Sequence, residues 1–202
     1  MKPEKISAYE IAYHANLIHE KLSFDLKLFR EDLHGLITLD ETSIPNPDDL
    51  LLGEYEIYEN ATDAHVKGAE ANLEFFPLRD TRVVISRSYT RIKSQNPNVS
   101  SKDLAESAPK HITSILAINR FPGGVTGSAL YYRVSDSNGL GSGKPIEGYA
   151  HVNLRLAFPF KWPGIHGELA FVVQNATGNY VDWRRDNIAE TQKYITVSAQ
   201  WD

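Results

Sequence analysis

The sequence predicts an all-β fold: an antiparallel up-and-down transmembrane β-barrel segment of about nine strands, which amounts to a partial barrel. Three observations predict it. Apolar and polar residues alternate in many stretches, short and long connections alternate between those stretches, and aromatic residues collect beside some of the short connections. Strands of an outer-membrane barrel show this pattern because one face of each strand meets lipid and the other faces a wet lumen.

The clearest alternation lies in residues 148–160, GYAHVNLRLAFPF. One side of this stretch is apolar and carries Val152, Leu154, Leu156, Phe158 and Phe160. The other side carries His151, Asn153, Arg155 and Ala157. A period of two residues indicates a strand with two different faces. The stretch runs into the turn sequence WPG, and aromatic side chains at such a place are typical of a membrane interface.

Alternation of the same kind predicts the other strands. In the first of them a helix competes, because Ala, Glu and Leu favour helices. The predicted strands cover residues 5–17, 22–28, 54–76, 81–93, 111–121, 125–134, 148–160, 168–174 and 194–201. Long polar loops are predicted at 40–52, 95–109, 135–145 and 176–191. Alternating short and long connections are typical of a membrane barrel, with its long loops on the outer side.

The strand at residues 81–91 fits this pattern less well. Val83 and Ile85 share a face with Arg87, which would place a guanidinium near mid-strand on the lipid side. An arginine at that depth costs on the order of 2–4 kcal/mol. The sequence leaves three explanations open: a bulge near Val84 that reverses the register, a lumenal Arg87, or a strand that does not touch lipid.

The composition limits the classes of function. The 202 residues carry a formal charge of −5, 42% of them are hydrophobic, and none is cysteine. Mild acidity gives no indication of a nucleic-acid partner, and without cysteine the chain has neither disulfides nor thiolate metal ligands. The first residues, MKPEKISAYEIAY, show no signal-peptide pattern. We therefore expect that an outer-membrane chain of this kind is a fragment of a longer protein.

The side chains predict no catalytic residues, no metal site and no cofactor. The seven histidines lack the spacing of metal ligands, and His14, His65 and His151 are interpreted as lumenal or loop residues. Glu70 and Glu74 point to the same side of one strand, as a catalytic carboxylate pair would. A polar lumen needs such groups for solvation, so we interpret them as lumenal residues.

Four aromatic residues near the predicted periplasmic strand ends are expected to form part of an aromatic girdle and assembly signal: Phe158, Phe160, Trp162 and Trp201. The edge of a sandwich core is the alternative explanation for them. The charged residues 182–186, DWRRD, predict a salt-bridged loop tip, with ligand binding as the alternative. Ligand-binding residues are otherwise unknown from the sequence.

Three stretches together resemble a known family. Residues 2–37 contain the pattern K-P-E-x-x-x-x-Y-E and two alternating strands, and residues 66–92 contain Gly68-x-Glu70 ahead of a proline turn. The tail that begins at residue 108 contains Gln174-Asn175 followed by a tyrosine. Their order and spacing over residues 1–202 are similar to those in the C-terminal part of the barrel of TonB-dependent outer-membrane receptors.

The resemblance implies a barrel of about 22 strands, filled by an N-terminal plug. It implies import of siderophores, cobalamin or other large nutrients with energy relayed by TonB. For residues 1–202 it implies a barrel segment in the cell outer membrane, with the plug domain absent and no enzymatic activity. The implied partners are outer-membrane lipid, the barrel assembly machinery, and TonB only through the missing plug. Two alternatives stay open: a small self-contained outer-membrane pore and a soluble β-sandwich binding module.

Overall fold

The computed structural model describes residues 1–45, 54–94, 101–138, 145–182 and 187–201. Nine long strands of these residues form one antiparallel sheet. They are β1 (Lys5–Leu17), β2 (Leu22–Pro45), β3 (Glu54–Leu78), β4 (Thr81–Ser94), β5 (His111–Arg120), β6 (Thr126–Val134), β7 (Tyr149–Trp162), β8 (Ile165–Gln174) and β9 (Gln192–Trp201). Each strand pairs with the next one along the chain, so the sheet is an up-and-down meander and the predicted fold class is confirmed.

Short and long connections alternate along the meander. Turns of a few residues follow β1, β3, β5 and β7 and lie at one end of the sheet, which we call the turn end. The longer connections lie at the opposite end, which we call the loop end. Their described parts contain a short helix, α1 (Ser101–Glu106), and two pairs of two-residue strands. No helix within the described ranges combines the length and the apolar character needed to cross a membrane.

The sheet has one apolar face and one polar face, as the alternation predicts. Directly opposite residues of paired strands point to the same side, so a face can be followed from strand to strand. Leu156 of β7 lies opposite Phe171 of β8, which in turn lies opposite Ile195 of β9. On the other side, Arg155 of β7 lies opposite Ser128 of β6.

No second layer of the described chain covers the apolar face. The buried hydrophobic residues among the described ones are Ala64, Val134, Ala157 and Ala170. Large apolar residues stay open, with Val197 68% and Trp201 75% exposed. A soluble sandwich buries such residues between two sheets. The exposed face therefore disagrees with the sandwich alternative and agrees with a sheet whose apolar side meets lipid.

The sheet is open. Within the described residues β1 and β9 are its edges and do not pair with each other. An edge strand presents unpaired backbone N–H and C=O groups. Each such group costs several kcal/mol in hydrocarbon, so both edges need further strands when the sheet lies in a bilayer.

β2 is much longer than the sequence pattern predicts, whereas β3 exceeds its predicted range only at Pro77 and Leu78. β2 continues to Pro45, so the prediction of a loop at residues 40–45 is wrong, and residues 46–52 of that loop lie outside the described residues. A register shift between Leu33 and Leu36 interrupts the pairing with β3. Gly35 sits in this bulge with φ +64°, a conformation that glycine adopts without a steric penalty. A strand that extends beyond a membrane has water on both faces, so the alternation disappears there.

Arg87 lies on the apolar face. The pairing of β4 with β5 is unbroken from Thr81 to Tyr89, and no bulge occurs near Val84. Arg87 therefore shares a face with Ile85, and its Nη1 donates to Oγ1 of Thr113, 3.5 Å away on the same face. A register reversal and a lumenal Arg87 are both excluded.

Candidate functional site

The polar face holds a ladder of charged side chains across β1, β2 and β3. Nζ of Lys27 lies 3.2 Å from Oε1 of Glu10 and 3.7 Å from Oε2 of Glu70. Nδ1 of His14 lies 2.6 Å from Oδ1 of Asp25. Opposite charges on directly opposed positions stabilise a sheet by a few tenths of a kcal/mol to about 1 kcal/mol each. The ladder therefore gives this face a charged surface in which each basic side chain lies beside a carboxylate.

The same pattern of cross-strand partners continues towards the turn end. Arg82 donates to Glu74, and Arg155 donates to Glu168. Glu70 and Glu74 share the polar face as predicted, and each has a basic partner. An open depression of about 530 Å³ lies over β1 to β5, and its polar lining includes His14, Asp25, Lys27, Glu70, Asn72, Ser86, Ser88 and Ser114. The lining offers hydrogen-bond donors and acceptors to a hydrated partner.

A cluster of four rings lies at the loop end of the polar face. We call it the aromatic cluster, and it consists of Tyr132, Tyr149, His151 and Tyr180. Tyr180 stacks on Tyr149 with ring centroids 4.2 Å apart and on His151 with centroids 5.1 Å apart. Tyr132 completes the cluster, 5.3 Å from the ring of His151. All four side chains are half-buried.

Asn175 holds the segment that brings Tyr180 over the strands. It is buried, 4% exposed, and has a left-handed φ of +52°. Its backbone N–H donates to Oδ1 of Asn153, 2.8 Å away, and its Nδ2 donates to the carbonyl of Ala189, 3.0 Å away. The hydroxyl of Thr191 donates to the carbonyl of Asn175, 2.6 Å away. The connection between β8 and β9 is thus tied to β7 at its root.

Asp182 adds a charge beside the aromatic cluster. The hydroxyl of Tyr149 donates to Oδ1 of Asp182, 3.1 Å away. Burial raises the pKa of the Tyr180 phenol, and the nearby Asp182 carboxylate raises that pKa further, so the phenol stays neutral at physiological pH. A small cavity of about 210 Å³ adjoins Tyr149, Asp182 and Val134. Rings, hydroxyls and one carboxylate together form a surface that can bind a ligand with both flat and polar parts.

Sequence reasoning did not find the aromatic cluster. Its rings come from β6, β7 and the connection after β8, and no local motif links them. The one available signal was Gln174-Asn175 followed by a tyrosine, because Asn175 is the residue that turns the chain back. Of the predicted loop tip at 182–186, Asp182 contacts Tyr149, and residues 183–186 lie outside the described residues.

The four aromatic residues predicted near the periplasmic strand ends share the apolar face. Trp162 lies opposite Ile165, and Ile165 lies opposite Trp201, so both tryptophans sit in one row at the turn end. The rings of Phe160 and Trp162 are 5.7 Å apart. Trp162 and Trp201 are 68% and 75% exposed. This row marks the turn-end border of the apolar face.

The histidines are divided between the two faces. His14 and His151 lie on the polar face, as interpreted from the sequence. His65 lies on the opposite face, where its Nδ1 is 2.5 Å from Oδ1 of Asp32, so the lumenal-or-loop interpretation is wrong for this residue. Within the described ranges, no group of three or more His, Asp or Glu side chains is arranged to hold a metal ion.

Comparisons with known proteins agree with this geometry. The family described as "TonB dependent receptor-like, beta-barrel" matches residues 1–176. No curated protein matches the chain. Among solved structures, the ferric-catecholate import receptor Fiu from E. coli K12 is similar over 98% of this chain and 27% of its own length, with 17% identity and a TM-score of 0.70.

Two further solved structures show the same fold. The pyoverdine outer membrane receptor FpvA from Pseudomonas aeruginosa PAO1 is similar over 100% of this chain and 30% of its own, with 16% identity and a TM-score of 0.72. The ferric preacinetobactin receptor BauA from Acinetobacter baumannii is similar over 98% and 30%, with 15% identity and a TM-score of 0.71. The chain thus spans under a third of these receptors. It belongs to the family of TonB-dependent outer-membrane receptors, which are transporters rather than enzymes, and forms a segment of their β-barrel.

Proposed function

We propose that the chain is the C-terminal part of a receptor barrel that takes up siderophores or similar large nutrients across the outer membrane. One observation carries this proposal: a single open sheet has an exposed apolar face and a polar face lined with hydrogen-bonding groups. The structural neighbours are described as receptors for ferric catecholates, pyoverdine and ferric preacinetobactin, which supports an iron chelate as the substrate class.

The aromatic cluster is the proposed contact point for that ligand. It lies at the loop end, which is the extracellular end when the short turns face the periplasm. Siderophores are rich in oxygen atoms and often carry rings. The stacked tyrosines match both properties, because their rings can stack on a ring of the ligand and the hydroxyl of Tyr180 can donate to its oxygen atoms. In this arrangement Tyr180 contacts the ligand from the connection after β8, while Tyr149 and His151 contact it from the barrel wall.

The polar face is the proposed contact surface for the plug of the full-length protein. Its depression over β1 to β5 offers alternating cations, anions and hydroxyls to a polar domain inside the barrel. TonB acts on this chain only through that plug. The barrel assembly machinery is the proposed partner during insertion. Phe158, Phe160, Trp162 and Trp201 then form part of the periplasmic aromatic girdle.

A transport assay tests the substrate class. The gene that encodes this chain is deleted and replaced by wild type or by a Tyr149→Ala/Tyr180→Ala double variant, and cells receive radiolabelled iron as catecholate, hydroxamate or citrate chelates. The matched control is Tyr131→Ala, because Tyr131 lies on the apolar face of β6 beside Tyr132. We expect wild type and control to restore uptake of one chelate class and the double variant to lower that uptake at least tenfold. Equal uptake by all strains, including the deletion, would contradict the proposal.

A further inference from the structure

Basic side chains collect where the apolar face ends towards the loop end. We call this group the basic band, and it consists of Arg30, Lys67, Arg87, Arg91 and Arg133. All five residues are exposed. They lie on the same face as the membrane-facing leucines and phenylalanines, and each lies nearer to the loop end than most of the apolar residues of its strand. The border of the apolar face is therefore positively charged on β2, β3, β4 and β6.

Three of these cations stand in one row across adjacent strands. Arg30 lies directly opposite Lys67, and Lys67 lies directly opposite Arg91. Directly opposed side chains have Cβ atoms about 4.5–5.5 Å apart, and like charges at that spacing repel. Anions that lie between or above the cations would relieve this repulsion and stabilise the row.

The described part of the chain supplies few such anions. Asp32 accepts from Nη2 of Arg30 at 3.0 Å and is shared with His65. For Lys67, Arg91 and Arg133, no ion pair with a described carboxylate exists. By contrast, Lys27 on the polar face has two glutamate neighbours. Lys27, Arg82 and Arg155 on the polar face each lie beside a glutamate, whereas most cations of the basic band are left for an external partner.

A second pair of cations lies slightly deeper on the same face. Arg87 and Arg133 both lie opposite Thr113 of β5, one on each side. Neighbouring strands are about 4.8 Å apart, so the two backbones are separated by about 10 Å. Guanidinium groups from these positions can converge on one anion with two donors each, because arginine binds phosphate in a bidentate manner.

The depth of the basic band matches the outer border of a bilayer. A tilted strand crosses the hydrocarbon in about 9–11 residues. Arg91 is ten residues along β4 from Thr81, and Lys67 is eleven residues from Leu78. Arg87 and Arg133 start deeper, but long basic side chains extend towards the headgroups while their stems stay in apolar surroundings. The guanidinium and ammonium groups then lie level with lipid phosphates.

We propose that the basic band binds the phosphate groups of phosphorylated lipids in the outer leaflet. Positively charged groups at a membrane surface attract anionic lipid, with each Lys or Arg adding to the affinity. The continuity of the band with the apolar face selects a lipid rather than a soluble anion, since Leu28, Ala69 and Ile85 lie directly beneath it to contact the acyl chains. The chain thereby contributes a lipid-binding site on the outside of the barrel, separate from the lumenal ligand site.

A lipid-binding measurement tests this proposal. The full-length protein that contains this chain is purified in a neutral detergent, and binding of a bisphosphorylated lipid A is compared with binding of the same lipid after removal of its phosphates. The variant is Lys67→Gln/Arg91→Gln/Arg133→Gln. The matched control is Lys21→Gln/Arg79→Gln/Lys161→Gln, which removes the same charge from exposed residues at the turn end. Inorganic phosphate alone serves as the soluble probe.

We expect wild type and the control variant to bind phosphorylated lipid A at least tenfold more tightly than the dephosphorylated lipid, with a preference that weakens as salt rises. The basic-band variant should lose that preference at least tenfold while its binding of dephosphorylated lipid stays unchanged. Equal loss in both variants would show an unspecific charge effect and overturn the proposal. Inorganic phosphate that binds as tightly as the lipid would overturn it as well.

Discussion

Tyr149 and Tyr180 stack with their ring centroids 4.2 Å apart, although one belongs to a strand and the other to the connection after β8. The contact fixes part of a long connection against the barrel wall. Its root is held by Asn175 and its far side by the hydrogen bond between Tyr149 and Asp182. The sheet therefore sets the position of this connection, so its residues can contact a ligand from a fixed place.

Removing the stacked ring should loosen this connection. Tyr180→Ala abolishes the contacts with Tyr149 and His151, which are worth about 0.5–1.5 kcal/mol beyond simple burial. We expect residues 175–191 of the membrane-inserted protein to be cleaved about three- to tenfold faster in limited proteolysis. Tyr180→Phe keeps the ring and should be cleaved at the wild-type rate. Faster cleavage of the Phe variant would assign the effect to the hydroxyl instead.

Asn175 combines a left-handed backbone with side-chain hydrogen bonds, and two substitutions separate these contributions. Asn175→Gly keeps the φ of +52° accessible but removes the amide that donates to Ala189. We expect it to lower the free energy of unfolding by about 1–3 kcal/mol. Asn175→Ala adds a left-handed strain of about 1–2 kcal/mol. In urea unfolding in detergent, the wild type should therefore be the most stable, the Gly variant less stable and the Ala variant the least stable. Equal stability of the Ala and Gly variants would show that the backbone strain is negligible.

Gly167 lies beneath the ring of Phe160 and close to the next strand. A Cβ at this position would be 2.2 Å from the carbonyl oxygen of Ser198 and 2.5 Å from Cζ of Phe160. Gly167→Ala should lower the free energy of unfolding by about 1–3 kcal/mol because the ring and the backbone must both shift. Phe160→Leu in the same chain removes the clash with the ring and should recover part of that loss. A double-mutant cycle measures the recovery, and strictly additive effects would contradict the proposed contact.

The row of Trp162 and Trp201 should lie at a lipid headgroup level. We expect bromine atoms near the headgroup to quench the emission of these residues more strongly than bromine atoms at the bilayer centre, as for interfacial aromatic belts. The part of the tryptophan fluorescence that the headgroup bromine atoms quench should be missing from the Trp162→Phe/Trp201→Phe double variant. Vesicles of unbrominated lipid supply the reference. Stronger quenching from the bilayer centre would place these residues too deep for a girdle.

The faces of the sheet were predictable from the sequence because lipid and water impose opposite demands on neighbouring residues. In β7 the pattern from Val152 to Phe160 assigns each side chain to one side, and the pairing register confirms the assignment. The same rule placed Arg87 correctly beside Ile85, although its cost in lipid argued for a bulge. The position of Arg87 follows from the unbroken register. Its neighbours, Thr113 on β5 and Arg133 on β6, are far from it in the sequence and become visible only once the strands are paired.

Two other features could not be predicted, for physical reasons. The extension of β2 to Pro45 has water on both sides in a membrane-spanning barrel, so no hydrophobic period marks it. The aromatic cluster depends on a connection that folds back on the sheet, and the stacking of Tyr180 on His151 has no local sequence signature. These ring contacts depend on where the chain turns back at Asn175, and not on the alternation of apolar and polar residues along a strand.

The unbroken pairing from β4 to β9 also constrains how such a gene can change. Inserting or deleting one residue within β7 would turn Arg155 outwards and Leu156 inwards, and the rest of the strand would follow. Whole epitopes can be added to the connections at the loop end without this inversion, because the ladder of the nine-stranded sheet does not pass through them. Length variation among natural variants, and sites for affinity tags, should therefore be confined to those connections, while the strands tolerate exchanges of residue type but not of residue number.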